Sequence, residues 1–510
     1  MCRKKAISRV TVLLFISVMM INTFATTVKA AAVNNMGTIT VNGLETGVTL
    51  TIYPIMDENF DYTVRQLKEP AYTWLSELAD WVNENYPEFI DTENENAVTE
   101  AFSEADDVKI AEFYDKLAVA IKAGTVEVES ASFVSESETL VIDPIMVGNY
   151  LMIIENGCRV YRPLTANVLH EYKDDAWKIV PAVVDAKSSE PTITKTVTDG
   201  LEKDHASIGD TVNFELNAVI PTYPENATAK TMVVSDILPD SLTLDSSSIK
   251  VYGVNAGEDD TLLGNIYTKS TSRPDGVEGE RTTTFSLYFT YDKISAYSSL
   301  KITYEAMLNE AANIGTDGNT NNAYLDYNNN PYVENSWKSD DDTATVYTYG
   351  MEVKKVDEDT EEPLSGAIFY LLKGEEAVEF IEEDGTYRVA KSDENGVTTV
   401  EVDEDGVLLL SGLDAGTYKL VEHYAPEGYV KLQNPIEIVI ADDDLDGKVE
   451  VGDEEMEDGI MPITVKNGKG FTLPVTGGAG TLLFSMTGVL MVGVGLLLIV
   501  VLYKKRNEAK

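Results

Sequence analysis

Alternation of apolar and polar residues dominates this chain. Thr38-Ile39-Thr40-Val41, Val212 to Leu216 and Phe285 to Tyr291 each place alternate side chains on one side, the period of a half-buried strand. Clusters of Pro, Gly and Asn punctuate such runs. A helical period occurs in one region. Trp74, Leu78, Trp81 and Val82 fall on one helical face; Ile110, Tyr114, Leu117 and Ile121 fall on another, closed by Gly124. Early strands (38–53) and later ones (140–151) bracket these helices. The pattern predicts an all-β fold of tandem immunoglobulin-like β-sandwich domains, the first with a helical insertion.

Two apolar runs are not alternating. Val10 to Met20 follows Arg3, Lys4, Lys5 and Arg9 and precedes small residues. That order predicts a secretory signal peptide, cleaved after Ala30 or after Ala32. Leu482 to Tyr503 is long enough to span a bilayer, and Lys504-Lys505-Arg506 would hold the tail on the cytoplasmic side. Between these runs the reading divides the chain into 31–188, 189–349 (opening at Pro191) and 350–470, with a leader over 1–30 and a tail over 471–510.

The formal net charge is −47. Leader and tail together hold nine cations and one acid, so the exported part is more acidic still. Such a surface disfavours nucleic acid and favours solubility through self-repulsion. Only Cys158 remains once Cys2 leaves with the leader; it is read as a small core residue, and no disulfide staple is expected. His170, His205 and His423 lie far apart. There is no Ser-His-Asp pattern, phosphate loop or CxxC pair, so an enzyme is disfavoured and no cofactor is implied.

The chemistry lies in polar residues at strand positions that should be apolar. Val353 and Lys355 share parity on one strand, Tyr418, Leu420 and Glu422 on a second, and Ile463, Val465 and Asn467 on a third. If the apolar partners face the core, Lys355, Glu422 and Asn467 face it too. Burial of a lysine and an acid is costly, lowers the amine pKa and raises the carboxyl pKa. A neutral amine beside an amide, with a protonated carboxyl to polarise it, is arranged for transamidation: ammonia leaves and an isopeptide bond remains. In the middle segment Ile193, Lys195 and Val197 share a face, as do Asn321, Ala323, Leu325 and Tyr327; Asn329 has the same parity as Asn321.

Several motifs carry a resemblance. Leu473-Pro474-Val475-Thr476-Gly477, the apolar span and the basic tail together resemble the cell-wall sorting signal of Gram-positive surface proteins. Lys355-Val356-Asp357, Pro363 to Phe369, and the closing Ile463 to Asn467 are similar to a collagen-adhesin B-type domain. Tyr418 to Tyr429 is similar to the pilin E-box, with His423 where threonine is usual. Residues 189–349 resemble the middle domain of Gram-positive backbone pilins, whose assisting acid matches Asp236; the alternative for Asp236 is a turn cap. Trp177 to Lys187 resembles the pilin motif, with Asp185-Ala186 replacing Tyr-Pro and one extra residue of spacing.

The resemblance implies a sortase-assembled major pilin. A sortase transpeptidase would cleave between Thr476 and Gly477 and pass the acyl group to Lys187 of another copy. Lys355 would bond to Asn467 with help from Glu422, and Lys195 to Asn321 (or Asn329) with help from Asp236. Partners would be sortase, further copies and minor pilins, peptidoglycan and host surface ligands; the location would be the cell-wall surface, after transient membrane anchoring. The rival readings are a monomeric wall-anchored adhesin and a minor pilin. One motif stands apart: Asp442, Asp444, Asp446 and Gly447 have the spacing that begins a calcium loop, although position twelve is Asp453 rather than Glu.

Overall fold

A computed structural model describes residues 35–470, apart from 199 and 453, together with 479–507. The leader (1–30) and Leu473 to Gly477 lie outside these residues. Strands dominate, as alternation predicts.

The first unit has two cores on opposite faces of one sheet. Gly148–Glu155 and Thr49–Asp61 are neighbours at its centre. Tyr150, Met152 and Ile154 face one way, onto a three-stranded sheet in which Met36–Asn42 pairs in parallel with Ala182–Asp185 and antiparallel with Thr139–Met146. Leu151 and Ile153 face the other way, onto helices Ser76–Asn85 and Asp107–Lys122. Coverage on both faces explains why 150–154 is an unbroken apolar run rather than an alternating one. The second helix begins where the Asp106 side chain accepts from Lys109 N at 2.8 Å and ends before Gly124 at φ +71°. Trp74 does not join the first helix. It ends the strand Gln66–Trp74 and donates through Nε1 to Phe89 O, plugging the helical core from the sheet.

The second unit is a sandwich of a five-stranded and a six-stranded sheet. Its core interleaves Phe214, Leu216, Phe285, Leu287, Ile302, Tyr304, Ala323 and Leu325. The strand containing Phe285 stops at Phe289; Tyr291–Ile294 makes one helical turn, because the Tyr291 hydroxyl turns aside to donate to Pro221 O. Arg273, 1% exposed, grips Asp326 with two hydrogen bonds of 2.9 and 2.6 Å inside this unit.

The third unit places its first strand, Tyr349–Asp357, parallel to its last, Ile460–Asn467, with Lys355 opposite Val465 and Asp357 opposite Asn467. A second sheet containing Ile368–Lys373 and Gly416–Tyr424 closes the core.

Both junctions are intimate. Tyr327 donates to Cys158 O, Asn329 Nδ2 to Gly157 O at 2.7 Å, and Tyr332 inserts among the first unit's helical core residues. Cys158 is half-buried rather than in the core, because its backbone serves this seam. Between the second and third units the backbones nearly touch. Gly315 has φ +74°, and a Cβ there would fall 2.5 Å from Asp458 O; a Cβ on Gly459 would fall 2.4 Å from Gly315 Cα. Gly315→Ala should therefore open this junction and lower unfolding stability by about 1–3 kcal/mol. Denaturant unfolding and limited proteolysis near 347–350 measure it; unchanged curves would show that the contact yields freely.

Candidate functional site: two buried clusters of lysine, acid and asparagine

In the second unit, strand Ile193–Val197 turns Ile193, Lys195 and Val197 inward. Lys195 is wholly buried, as are Asp236 and Asn321. Lys195 Nζ donates to Asp236 Oδ2 at 2.5 Å and to the Tyr304 hydroxyl at 2.9 Å. Tyr304 donates to the same Asp236 oxygen at 2.9 Å and accepts from Asn321 Nδ2 at 2.7 Å. Phe214 stacks on the Tyr304 ring, with 5.3 Å between centroids, and walls the amine from water. Burial pushes the Lys195 amine pKa down and the Asp236 carboxyl pKa up, so both are driven toward neutrality. The strand is pinned from outside: Asp340 accepts from Ile193 N and Asp342 from Lys195 N, at 2.9 and 2.8 Å.

Asp236 lies within strand Met232–Ile237, paired on both edges, so it caps no turn. Asn329 does not reach Lys195. Its strand ends at Asn328, and its amide serves the seam with the first unit instead. Tyr304 escapes the sequence reading. It occupies an inward position between Ile302 and Ala306, where an aromatic reads as core filler; its hydroxyl is the hub between amine, acid and amide.

The third unit repeats the arrangement with different strands. Lys355, Glu422 and Asn467 are all buried, at 0%, 2% and 1% exposure. Asn467 Nδ2 donates to Glu422 Oε2 at 3.0 Å and to Val430 O at 2.6 Å. Leu432 N donates to the same Glu422 oxygen at 2.7 Å, and Lys355 Nζ donates to Val465 O at 3.3 Å. Burial pushes the Lys355 amine down to about 8 against the opposing pull of Glu422. His423 lies on the opposite face from Glu422, packed on Tyr370, so the departure from threonine leaves this cluster untouched.

Among the described residues, nine buried side-chain polar atoms have no hydrogen-bond partner, and four of them are Asp236 Oδ1, Asn321 Oδ1, Glu422 Oε1 and Asn467 Oδ1. Each such orphan costs roughly 1–3 kcal/mol. Four of the nine thus fall on the amide carbonyls and acids of these two clusters.

Lys187 is exposed, with its backbone held on both sides. Ala186 N donates to Asn42 O at 2.9 Å, and Arg162 N donates to Lys187 O at 3.0 Å. At the calcium-like loop the carboxylates of Asp442, Asp444 and Asp446 lie within 4.8 Å of one another. Asp442 already accepts from the Tyr349 hydroxyl (2.6 Å), Gly447 N (2.8 Å) and Asp446 N (3.0 Å), and the Lys448 ammonium sits 2.8 Å from Asp446. These bonds organise the loop as a clamp on Tyr349.

Helix Ala479–Asn507 contains a window, Ser485–Leu502, of mean hydropathy 2.5, long and apolar enough to cross a membrane. Residues 208–331 match the family model described as Gram-positive pilin backbone subunit 2, Cna-B-like domain. Residues 350–455 match a prealbumin-like fold domain, and 465–510 match the LPXTG cell wall anchor motif, which marks a wall-anchored surface protein. The trypsin-resistant surface T6 protein of Streptococcus pyogenes serotype M6 is 32% identical over 260 residues, covering 48% of this chain and 44% of that protein. The chain thus spans less than half the length of this relative in alignment. The solved T6 backbone pilin of the same organism, a modular three-domain structure, shares the fold at a TM-score of 0.60, with 19% identity over 86% of this chain and 99% of that one. A pilin-backbone domain, a prealbumin-like domain and a wall-anchor motif are thus matched in one chain, which is similar over part of its length to a Gram-positive backbone pilin.

Proposed function

We propose that this chain is the repeating structural subunit of a covalent surface fibre, welded internally by two isopeptide bonds. The observation that carries the reading is the recurrence of one arrangement in two sandwiches: a buried lysine, a buried acid and an asparagine amide hydrogen-bonded into the same cluster. In each, the proton moves from ammonium to carboxylate, so that amine and acid are both neutral. The lysine Nζ attacks the asparagine Cγ while the carboxyl donates to the amide oxygen. The Nζ–Cγ bond forms, the Cγ–Nδ2 bond breaks, and ammonia departs with the protons relayed by the acid. Lys195 would bond to Asn321 with Asp236 as the relay and Tyr304 as its support; Lys355 would bond to Asn467 with Glu422 as the relay. The product is a neutral secondary amide, which removes the buried-charge penalty permanently.

Between subunits, a sortase would take Thr476 as an acyl group and pass it to Lys187 of another copy, and the last subunit would pass to peptidoglycan. The T6 relative is a backbone pilin, and the exposed, backbone-anchored Lys187 suits an acceptor amine. The chain would then be the substrate of a transpeptidase and would turn nothing over itself.

Intact mass spectrometry of the exported chain should show a deficit of two ammonia molecules, about 34 Da, as the buried neutral amines require. Asn321→Ala or Asn467→Ala should each restore one and cost roughly 5 kcal/mol by the loop-closure estimate for a cross-link; full residue mass in the parent chain would refute both bonds. Lys187→Ala should leave anchored single subunits where the parent gives an oligomer ladder, and a persisting ladder would move the acceptor elsewhere. In Asn467→Ala, Lys355 stays a free amine with its pKa held near 8 when folded and 10.5 when unfolded. Between those values the unfolded chain binds more protons, so stability should rise with pH through that window. Lys355→Met/Asn467→Ala should lack this rise; identical pH profiles would show that Lys355 is not desolvated.

A further inference from the structure

A third lysine, acid and asparagine meet where the first and second units join. Lys122 ends helix Asp107–Lys122, Glu155 ends strand Gly148–Glu155, and Asn330 follows strand Asn319–Asn328 of the second unit. Lys122 Nζ donates to Glu155 Oε1 at 2.7 Å, and Asn330 Nδ2 donates to that same oxygen. One carboxylate oxygen thus gathers the amine and the amide from two different units, as Glu422 gathers the Asn467 amide beside Lys355. Asn330 is 4% exposed and immobilised. Its backbone N donates to Ser336 Oγ at 3.1 Å, and its Oδ1 accepts from Tyr332 N at 3.0 Å. Tyr332 is itself anchored in the first unit's helical core, with its hydroxyl on Asp115 Oδ1 at 3.2 Å.

We propose that Lys122 and Asn330 form an isopeptide bond between the first and second units, with Glu155 as the proton relay. The proposal rests on the reading that the two intradomain clusters react by this chemistry. The Lys122 ammonium passes a proton to Glu155. Nζ then attacks Asn330 Cγ, and the Tyr332 N–H already on Oδ1 stabilises the negative charge that develops there. Glu155 returns that proton to Nδ2, the Cγ–Nδ2 bond breaks and ammonia leaves; Glu155 takes the second Nζ proton and gives it to the departing ammonia, which exits as ammonium, so no other reactant is needed. The site differs from the other two in one respect. The Lys122 and Glu155 side chains are 18% and 21% exposed, and Lys122 ends a helix whose dipole favours the ammonium. Water therefore competes for the Lys122 amine and the Glu155 carboxylate, and the bond forms more slowly, so occupancy should grow as the protein ages.

The consequence is architectural. Without this bond the first unit joins the second covalently only through the segment around 188–192. With it, a second covalent tether at Asn330 fixes the first unit's orientation to the fibre.

Peptide mapping of the exported chain, fresh and after days of ageing, tests this. The expected result is a branched peptide joining Lys122 to Asn330, short by one ammonia (about 17 Da), increasing with age beside the Lys195–Asn321 and Lys355–Asn467 branches. Glu155→Gln should abolish the Lys122 branch alone, and the other two branches report that the variant folds. Finding those two branches with Lys122 and Asn330 still in separate, unmodified peptides after ageing would overturn the interdomain bond and leave the intradomain reading intact. Finding none of the three would overturn both. A Lys122 branch that persists in Glu155→Gln would overturn the relay.

Discussion

An amine sealed inside an apolar sandwich is the constraint on which this protein turns. Lys195 and Lys355 are fully buried, and a buried ammonium costs several kcal/mol unless it is paired or neutralised. Each lies in a cluster that holds an acid as well as an amide whose carbonyl oxygen has no partner. An ordinary ion pair would satisfy the charges and leave the amide orphaned. On the proposed reading the cluster is a reactive ground state, whose unfavourable terms all vanish in one product.

The fold supplies what the proposed chemistry needs. In the third unit the lysine and asparagine lie on neighbouring parallel strands, two positions out of register, so the amine points along the strand toward the amide. In the second unit they lie on different sheets, and the Tyr304 hydroxyl bridges the gap between the layers. Rigid strands hold the groups close without long side chains having to search for one another. The Asp340 and Asp342 carboxylates on backbone amides of the Lys195 strand extend that restraint outward.

Much of this was legible from parity alone. A lysine, glutamate or asparagine at an inward strand position stands out because the alternating neighbours are Val, Leu and Ile. Tyr304 was not legible, since a tyrosine there is indistinguishable from core packing until its hydroxyl finds three partners. Asn329 shares parity with Asn321, and only the end of the strand at Asn328 separates them. Trp74 fits a helical face but ends a strand, because aromatic residues fill the same core from either element. Neither the seam at Asn330 nor the Arg273–Asp326 grip could be read from sequence, because each joins segments with no shared periodicity.

The parallel alignment of Tyr349–Asp357 with Ile460–Asn467 has one more consequence. The chain enters the third unit at the start of the former and leaves at the end of the latter. A pull on the two ends therefore slides these strands past each other lengthwise instead of peeling them apart. All the backbone hydrogen bonds of the ladder are then loaded at once in shear. A newly folded unit can therefore bear strain on its ladder alone, before the proposed weld has closed.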